Sequence, residues 1–294
     1  MSLARPREER TGLGVALMAL AVVFFIATDT SAKWLILAGV APIQVVFVRY
    51  AGHFVLSCLV YLPGAGLGEF RSNAPWRQLF RSLLLIFGTT FNFFALKTLP
   101  ITLTTTIFFA TPIVVTLLAI PVLGERVGIR RFLAVLAGFL GVIVTVQPWG
   151  AQFEPAIFLS LGALFCASGY FIMTRLLAGV ETNATAQLWS SGLATLLLAP
   201  FGFNVWGAPS DLGVALVMAL IGAFAGLGHI AATYAHRLAD ASILAPVIYI
   251  QIVLAAISGI VVFSTPPTVW TLLGGLIIVA SGLYIWHRER LRTR

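Results

Sequence analysis

The sequence predicts an all-α membrane protein of ten transmembrane helices, arranged as two inverted five-helix repeats. Three observations lead there. Hydrophobic residues make up 60% of the 294 and charged ones only 10%, mean hydropathy is +1.01, and apolar runs recur from end to end. Ordinary soluble domains are about 45–50% apolar and about 25% charged, so lipid must be the solvent for most of this chain. A helix needs about 20 apolar residues to cross the hydrocarbon layer, so the length accommodates about ten crossings and leaves no room for a separate soluble module.

Between turn and charge signals the apolar runs fall at 11–37, 41–62, 76–98, 101–122, 129–147, 155–177, 184–203, 211–236, 242–263 and 267–287. Pro42, Pro155 and Pro267 sit near first turns, where a missing N–H is harmless. The first run follows Arg5, Arg7 and Arg10 like the start of a signal peptide, but it is too long and has no small-residue cleavage motif. It is expected to remain as helix 1. Cys58 and Cys166 lie inside apolar stretches, without a partner at metal-ligand spacing, so neither a disulfide nor a metal site is expected.

The net charge of +8 is confined to the termini and alternate loops. That is a topology signal rather than a nucleic-acid surface, which would gather basic residues on one solvated face. Placing both termini in the cytoplasm puts Arg5, Arg7, Arg10, Arg71, Arg77, Arg81, Arg126, Arg130, Arg131, Arg175, Arg237, Arg288, Arg290, Arg292 and Arg294 inside. Lys97 alone falls outside, while Lys33 and Arg49 are left within the membrane. An even number of spans follows.

The two halves, 1–148 and 149–294, align at a spacing near 140: Ala95 with Ala235, Lys97 with Arg237, and Ala134 and Gly141 with Gly274 and Ser281. Because one unit holds five spans, its second copy enters from the opposite side, a duplication common among transporters.

Several stretches now carry a likeness. They are Asp29–Lys33 (DTSAK) followed by Ala41-Pro42 and Val48-Arg49; Pro112 and the Gly124-Glu125-Arg126 turn in TPIVVTLLAIPVLGERV; and the small-residue rhythm of RRFLAVLAGFLGV from Arg130. The chain resembles the drug/metabolite transporter superfamily, and within it the EamA-type family. Thr265 answers Glu125 in the second copy, so any role of that glutamate is confined to one half. The resemblance implies a ten-helix inverted-repeat carrier around a central cavity between the halves, working by alternating access in a bacterial inner membrane, with the fifth and tenth helices peripheral. Exporters of aromatic and other bulky amino acids look closest in character. Uptake carriers for riboflavin or S-adenosylmethionine share similar first-helix patterns, and the motifs do not separate the two.

Ionisable groups within a span need a partner or a purpose. Asp29 and Lys33 are four apart on one helix face, with Arg49 on the antiparallel neighbour. Two readings stand: a charge cluster pinning helix 1 to helix 2, or a gate with a net charge of +1 that meets an anionic group. On the first, Arg49→Ala loses folded protein; on the second it folds and loses transport. Helix 3 offers Thr89, Thr90 and Asn92 among Phe87, Phe91, Phe93 and Phe94, and helix 4 offers Thr104, Thr105 and Thr106 beside Phe108 and Phe109. Asn92, with four hydrogen-bonding sites, is the strongest cavity candidate, with Thr90 and Thr106 beside it.

In the second half Tyr170, Trp189, His229, Tyr234, Tyr249 and Gln251 lie inside spans, with Trp189, His229 and Tyr249 near span centres. His229 is either a packed neutral histidine or a proton-coupled switch. Pro112 is expected to kink the middle of helix 4 as a hinge, and Pro246 to do less. Gly222, Gly226 and Gly228 allow close helix approach or mobility.

The leading expectation is therefore export of amino acids with large apolar side chains, and the alternative is uptake of riboflavin, S-adenosylmethionine or a similar metabolite. The partners implied are that small molecule and membrane lipid, with no cofactor and no nucleic acid. An intramembrane enzyme or sensor is disfavoured, because no His-Glu-x-x-His, Gly-x-Ser-x-Gly or paired-aspartate motif occurs in the spans. No Walker-type loop is present for nucleotide, so energy coupling stays open between protons and simple facilitated movement.

Overall fold

Helices account for nearly all of the regular structure in the computed structural model, which describes residues 10–124, 128–150, 153–239 and 241–293. Arg5, Arg7, Glu125, Arg126 and Arg294 lie outside the described residues. The elements are α1 (Thr11–Leu37), α2 (Pro42–Ala65), a 3-10 turn (Leu67–Phe70), α3 (Pro75–Leu96), α4 (Ile101–Phe108), α5 (Thr111–Leu123) and α6 (Ile129–Val146). The second half adds α7 (Ile157–Leu177), α8 (Asn183–Asn204), α9 (Leu212–Leu238), α10 (Ala241–Ile248), α11 (Ile250–Val261) and α12 (Val269–Thr293). Among the described residues, seven helical stretches are long and apolar enough to cross a membrane, counting α4 and α5 together as Ile101–Leu123. Phe132–Val146 and Pro246–Val261 are shorter apolar helices. α8 is long enough at 22 residues, but Gln187, Ser190, Ser191 and Thr195 dilute its hydropathy.

Two expected spans are not single helices. The run 101–122 breaks at Phe109–Ala110, and 242–263 breaks at Tyr249. Pro112 is therefore not a mid-helix kink: it is the second residue of α5 and is exposed. The cause is steric, since a proline ring collides with the carbonyl four residues back. That carbonyl, of Phe108, instead accepts a hydrogen bond from the Thr111 hydroxyl. Pro246 does more than expected. Its carbonyl accepts a short-range bond from the Tyr249 N–H at 3.2 Å, which tightens the chain just before α11.

Helices of the first half pack on helices of the second through small residues, which permit close backbone approach in lipid. α2 meets α9 where a Cβ on Gly222 would stand 2.5 Å from the Gly52 Cα. Gly14 lies against Ala235 and Ala239, joining α1 to α9, and Gly88 lies against Cys166, joining α3 to α7. α6 and α12 cross through a reciprocal pair: Gly141 meets Gly274, and the Ser281 hydroxyl donates to the Ala134 carbonyl. The bounds of α4 and α10 differ by 140 at both ends. The Phe109 and Tyr249 rings, at the two breaks, touch at 5.2 Å.

Candidate functional site

Buried polar side chains converge between α1, α2, α3 and α9. On α2 the spacing of four places Arg49, His53 and Ser57 on one stripe, and all three are buried, Arg49 to 7% exposure and His53 to 0%. The Arg49 guanidinium lies 4.3 Å from the Tyr50 ring, yet its Nε and Nη1 have no hydrogen-bond partner. Asp29 of α1 faces the same region and accepts from Asn92 Nδ2 of α3 at 3.3 Å. Asp29 and Arg49 feel one another electrostatically without closing an ion pair. Tyr50 is held in place, its hydroxyl donating to the Leu85 carbonyl at 3.0 Å and bonded to the Thr89 hydroxyl at 2.8 Å.

Beneath Arg49 the His53 imidazole stacks on His229 of α9, with centroids 5.1 Å apart and planes 6° from parallel. Phe25 meets His229 edge-on at 5.2 Å. The second buried guanidinium is Arg81 of α3, which the sequence counts only among the inner-side arginines although it falls within the 76–98 run. It is 4% exposed and reaches the second half, donating to Tyr170 Oη at 2.7 Å, Thr174 Oγ1 at 2.8 Å, Ser190 Oγ at 3.0 Å and the Ala186 carbonyl at 3.2 Å. Tyr170 is thereby engaged by Arg81, whose guanidinium also sits 4.5 Å from its ring centroid.

The expected cluster of three charges divides. The Lys33 Nζ turns to the end of α3 and donates to the carbonyls of Leu96 at 3.0 Å and Leu99 at 2.6 Å. A cation on the last carbonyls of a helix is favourable in itself, so Lys33 needs no substrate to explain it. Thr90 and Thr106 donate within their own helices, to the Ile86 and Thr102 carbonyls. Trp189 is not near a span centre, as its sequence position suggested. It lies in the second turn of α8, and its Nε1 donates to the Phe70 carbonyl at 3.0 Å. Tyr249 marks the α10–α11 break with its hydroxyl against Gly282, and buried Gln251 is the second residue of α11.

Both ends of the bundle are tied between halves. At the end carrying Ala38–Ala41, the Gln44 amide and the Gly207 backbone exchange bonds of 2.8 and 3.1 Å, and Asp211 caps α9 by accepting from the Val214 N–H at 2.9 Å. That bond and the Ser210 hydroxyl hold the Asp211 carboxyl below its usual range. At the end carrying Gly66–Ala74, Glu69 accepts from the hydroxyls of Thr182 and Thr185, which likewise lower its pKa. Glu181 accepts there from Ser72 Oγ and the Ala74 N–H.

His53, Tyr50 and Arg81 were missed as site residues. The signal for His53 was available in the Arg49–His53–Ser57 spacing. For Arg81 the signal was its place five residues into the 76–98 run, but nothing in the sequence pointed to its partners.

The profile of the EamA-like transporter family matches residues 12–147 and again 154–286. A protein named S-adenosylmethionine uptake transporter from Rickettsia bellii is 26% identical over 281 residues, covering 95% of this chain and 94% of its own. One named riboflavin transporter from Rhizobium johnstonii is 29% identical over 291 residues, covering 97% and 94%. A pseudopaline exporter from Pseudomonas aeruginosa is 27% identical over 242 residues, covering 81% and 84%. A solved crystal structure superposes with a TM-score of 0.59 over 92% of this chain and 94% of the other, at 20% identity, which is a likeness of fold alone.

Proposed function

Because the chain belongs to the EamA-like transporter family, we propose that it is a secondary carrier that takes up a metabolite bearing an α-amino acid end, of the S-adenosylmethionine kind, across a bacterial inner membrane. That it is a multi-pass membrane transporter follows from the family and the apolar helices. The substrate reading rests on one observation: Asp29 and Arg49 face each other unjoined, with two Arg49 nitrogens unpartnered. A buried ion without a partner costs several kcal/mol. A zwitterion answers both groups, its carboxylate in the fork of Arg49 and its ammonium at Asp29, which Asn92 orients.

A free aromatic amino acid carries the same zwitterion. The relatives compared, however, are named for S-adenosylmethionine uptake, riboflavin transport and pseudopaline export, and this moves the reading from amino acid export to uptake of a larger metabolite. Riboflavin has no zwitterion and leaves Arg49 unanswered.

We read residues 1–148 and 149–294 as two inverted copies of five crossings that alternate access to a cavity between them. The family profile falls once on each half, α4 and α10 correspond at an offset of 140, and α6 and α12 contact reciprocally. The seven long apolar stretches, the two shorter ones and α8 sum to ten crossings. The arginine distribution favours both termini inside, so Ala38–Ala41 faces outward and Gly66–Ala74 inward.

Uptake of radiolabelled S-adenosylmethionine into proteoliposomes, with unlabelled competitors, tests this reading. S-adenosylmethionine should compete fully and riboflavin not at all; the reverse order would sink the substrate assignment.

A further inference from the structure

Below the site, α2 carries a row of polar groups that the binding of a zwitterion does not use. His53, Ser57 and Tyr61 follow Arg49 at intervals of four. The Nδ1 and Nε2 of His53, the Oγ of Ser57 and the Oη of Tyr61 are all buried without a hydrogen-bond partner in the protein. The Gln187 amide lies beside His53 without closing a bond of good geometry. Buried polar atoms left unpaired are costly, and internal water is the usual remedy. The spacing suits it: four residues of helix rise about 6 Å, close to two O–H···O bonds of about 2.8 Å laid end to end through one water.

We propose that the His53–Tyr61 face of α2 is a water-filled path that carries protons between the substrate site and the inner face, and so couples uptake to the proton gradient. This rests on the uptake reading above. Each water or side chain accepts one proton from the site side and releases one toward the interior, so no net charge is left behind.

The charged and titratable groups facing the path explain why it would not leak. His53 is faced by Arg49 on its own helix and by His229 of α9, and His229 in turn by Arg49 and Arg81. Tyr61 is faced by Tyr234 and Arg237 of α9. Asp29 stands at the upper end beside Arg49 and Asn92. With the site empty, the guanidiniums repel a proton from the path. A substrate carboxylate on Arg49 lifts part of that repulsion, so the proton moves when substrate is present.

Hydroxyl-radical labelling of the reconstituted protein, read by mass spectrometry, tests the path without any substrate. His53 and Tyr61 should be oxidised at least about fivefold faster than Tyr50, which is buried with its hydroxyl bonded. Equal rates overturn the proposal. With the outside one pH unit more acid and the membrane potential clamped at zero, a one-proton carrier accumulates S-adenosylmethionine about tenfold. Ser57→Ala and Tyr61→Phe should bring accumulation toward unity, whereas Ser191→Ala, whose hydroxyl donates to the Gln187 carbonyl within α8, should leave it in place. Uptake by the wild type that ignores the pH gradient overturns the proton role. Rapid labelling with no S-adenosylmethionine uptake leaves the path standing and removes the substrate reading instead.

Discussion

The two stretches that match the family profile differ in chemistry. At an offset of 140, Asp29 is answered by Gly169, Arg49 by Trp189, His53 by Leu193, Arg81 by Ile221 and Asn92 by Ala232. The small residues that let helices approach are spread over both halves, in Gly52 and Gly141 as in Gly222 and Gly274. Small residues thus serve close helix crossing in both halves, while the ionisable groups of the candidate site are concentrated in the first half. An asymmetric metabolite needs only one set of charges, and a second set would add buried ions without partners.

The comparison is broken most directly at Arg49. Arg49→Gln should fold, judged by fluorescence-detected size exclusion, and lose uptake about 100-fold, corresponding to a buried charge contact of about 3 kcal/mol. Trp189→Phe at the answering position should cost uptake less than about twofold, since it removes one rim hydrogen bond. Loss of folded Arg49→Gln protein would restore the idea that the charge pins α1 to α2.

The scaffold should fail alike in both copies. Gly222→Leu drives a side chain into Gly52, and Gly274→Leu drives one into the Gly141 carbonyl. Overpacking costs about 1–3 kcal/mol, so thermal unfolding in detergent should fall for both by similar amounts. A drop confined to one would make the crossing geometry as lopsided as the chemistry.

Lys33→Met sharpens the boundary of the site. It should lower stability by about 0.5–1 kcal/mol through loss of the charge at the end of α3 while leaving the substrate KM unchanged. A tenfold rise in KM would return Lys33 to the binding groups.

The smallest effect belongs to Glu69. Its carboxyl is held below the usual value by Thr182 and Thr185, so its contribution is full at neutral pH and fades as pH falls through the carboxylate range toward that lowered value. Glu69→Gln should cost about a few tenths of a kcal/mol at pH 7, as for an exposed polar contact. The difference from wild type should vanish in acid.

Helical class, most helix bounds and the membrane setting were legible because hydropathy and turn residues are local signals. The breaks at Phe109–Ala110 and Tyr249 were half legible: Pro112 and Pro246 announced them, but the height at which each helix parts depends on neighbouring carbonyls. Asp29, Arg49, Asn92 and His229 stood out as candidates because ionisable and amide groups are rare in spans. Arg81 was misread because burial of a guanidinium among Tyr170, Thr174 and Ser190 depends on helices about 90 residues further along the chain. Trp189 was misread because the 3-10 turn that receives its N–H is invisible to hydropathy.

The pairing of α1 with α9, α2 with α8, α3 with α7 and α6 with α12 has a consequence for how the molecule is made. Each partner is separated from the other by 60 or more residues of chain, so little of the interior can form until the second half has entered the bilayer. Loop-closure entropy sets the order: such distant contacts come late. Neither half is a folding unit, and a fragment ending near residue 148 would present bare glycine faces to lipid. Stability is thus acquired as the last helices of the nascent chain arrive.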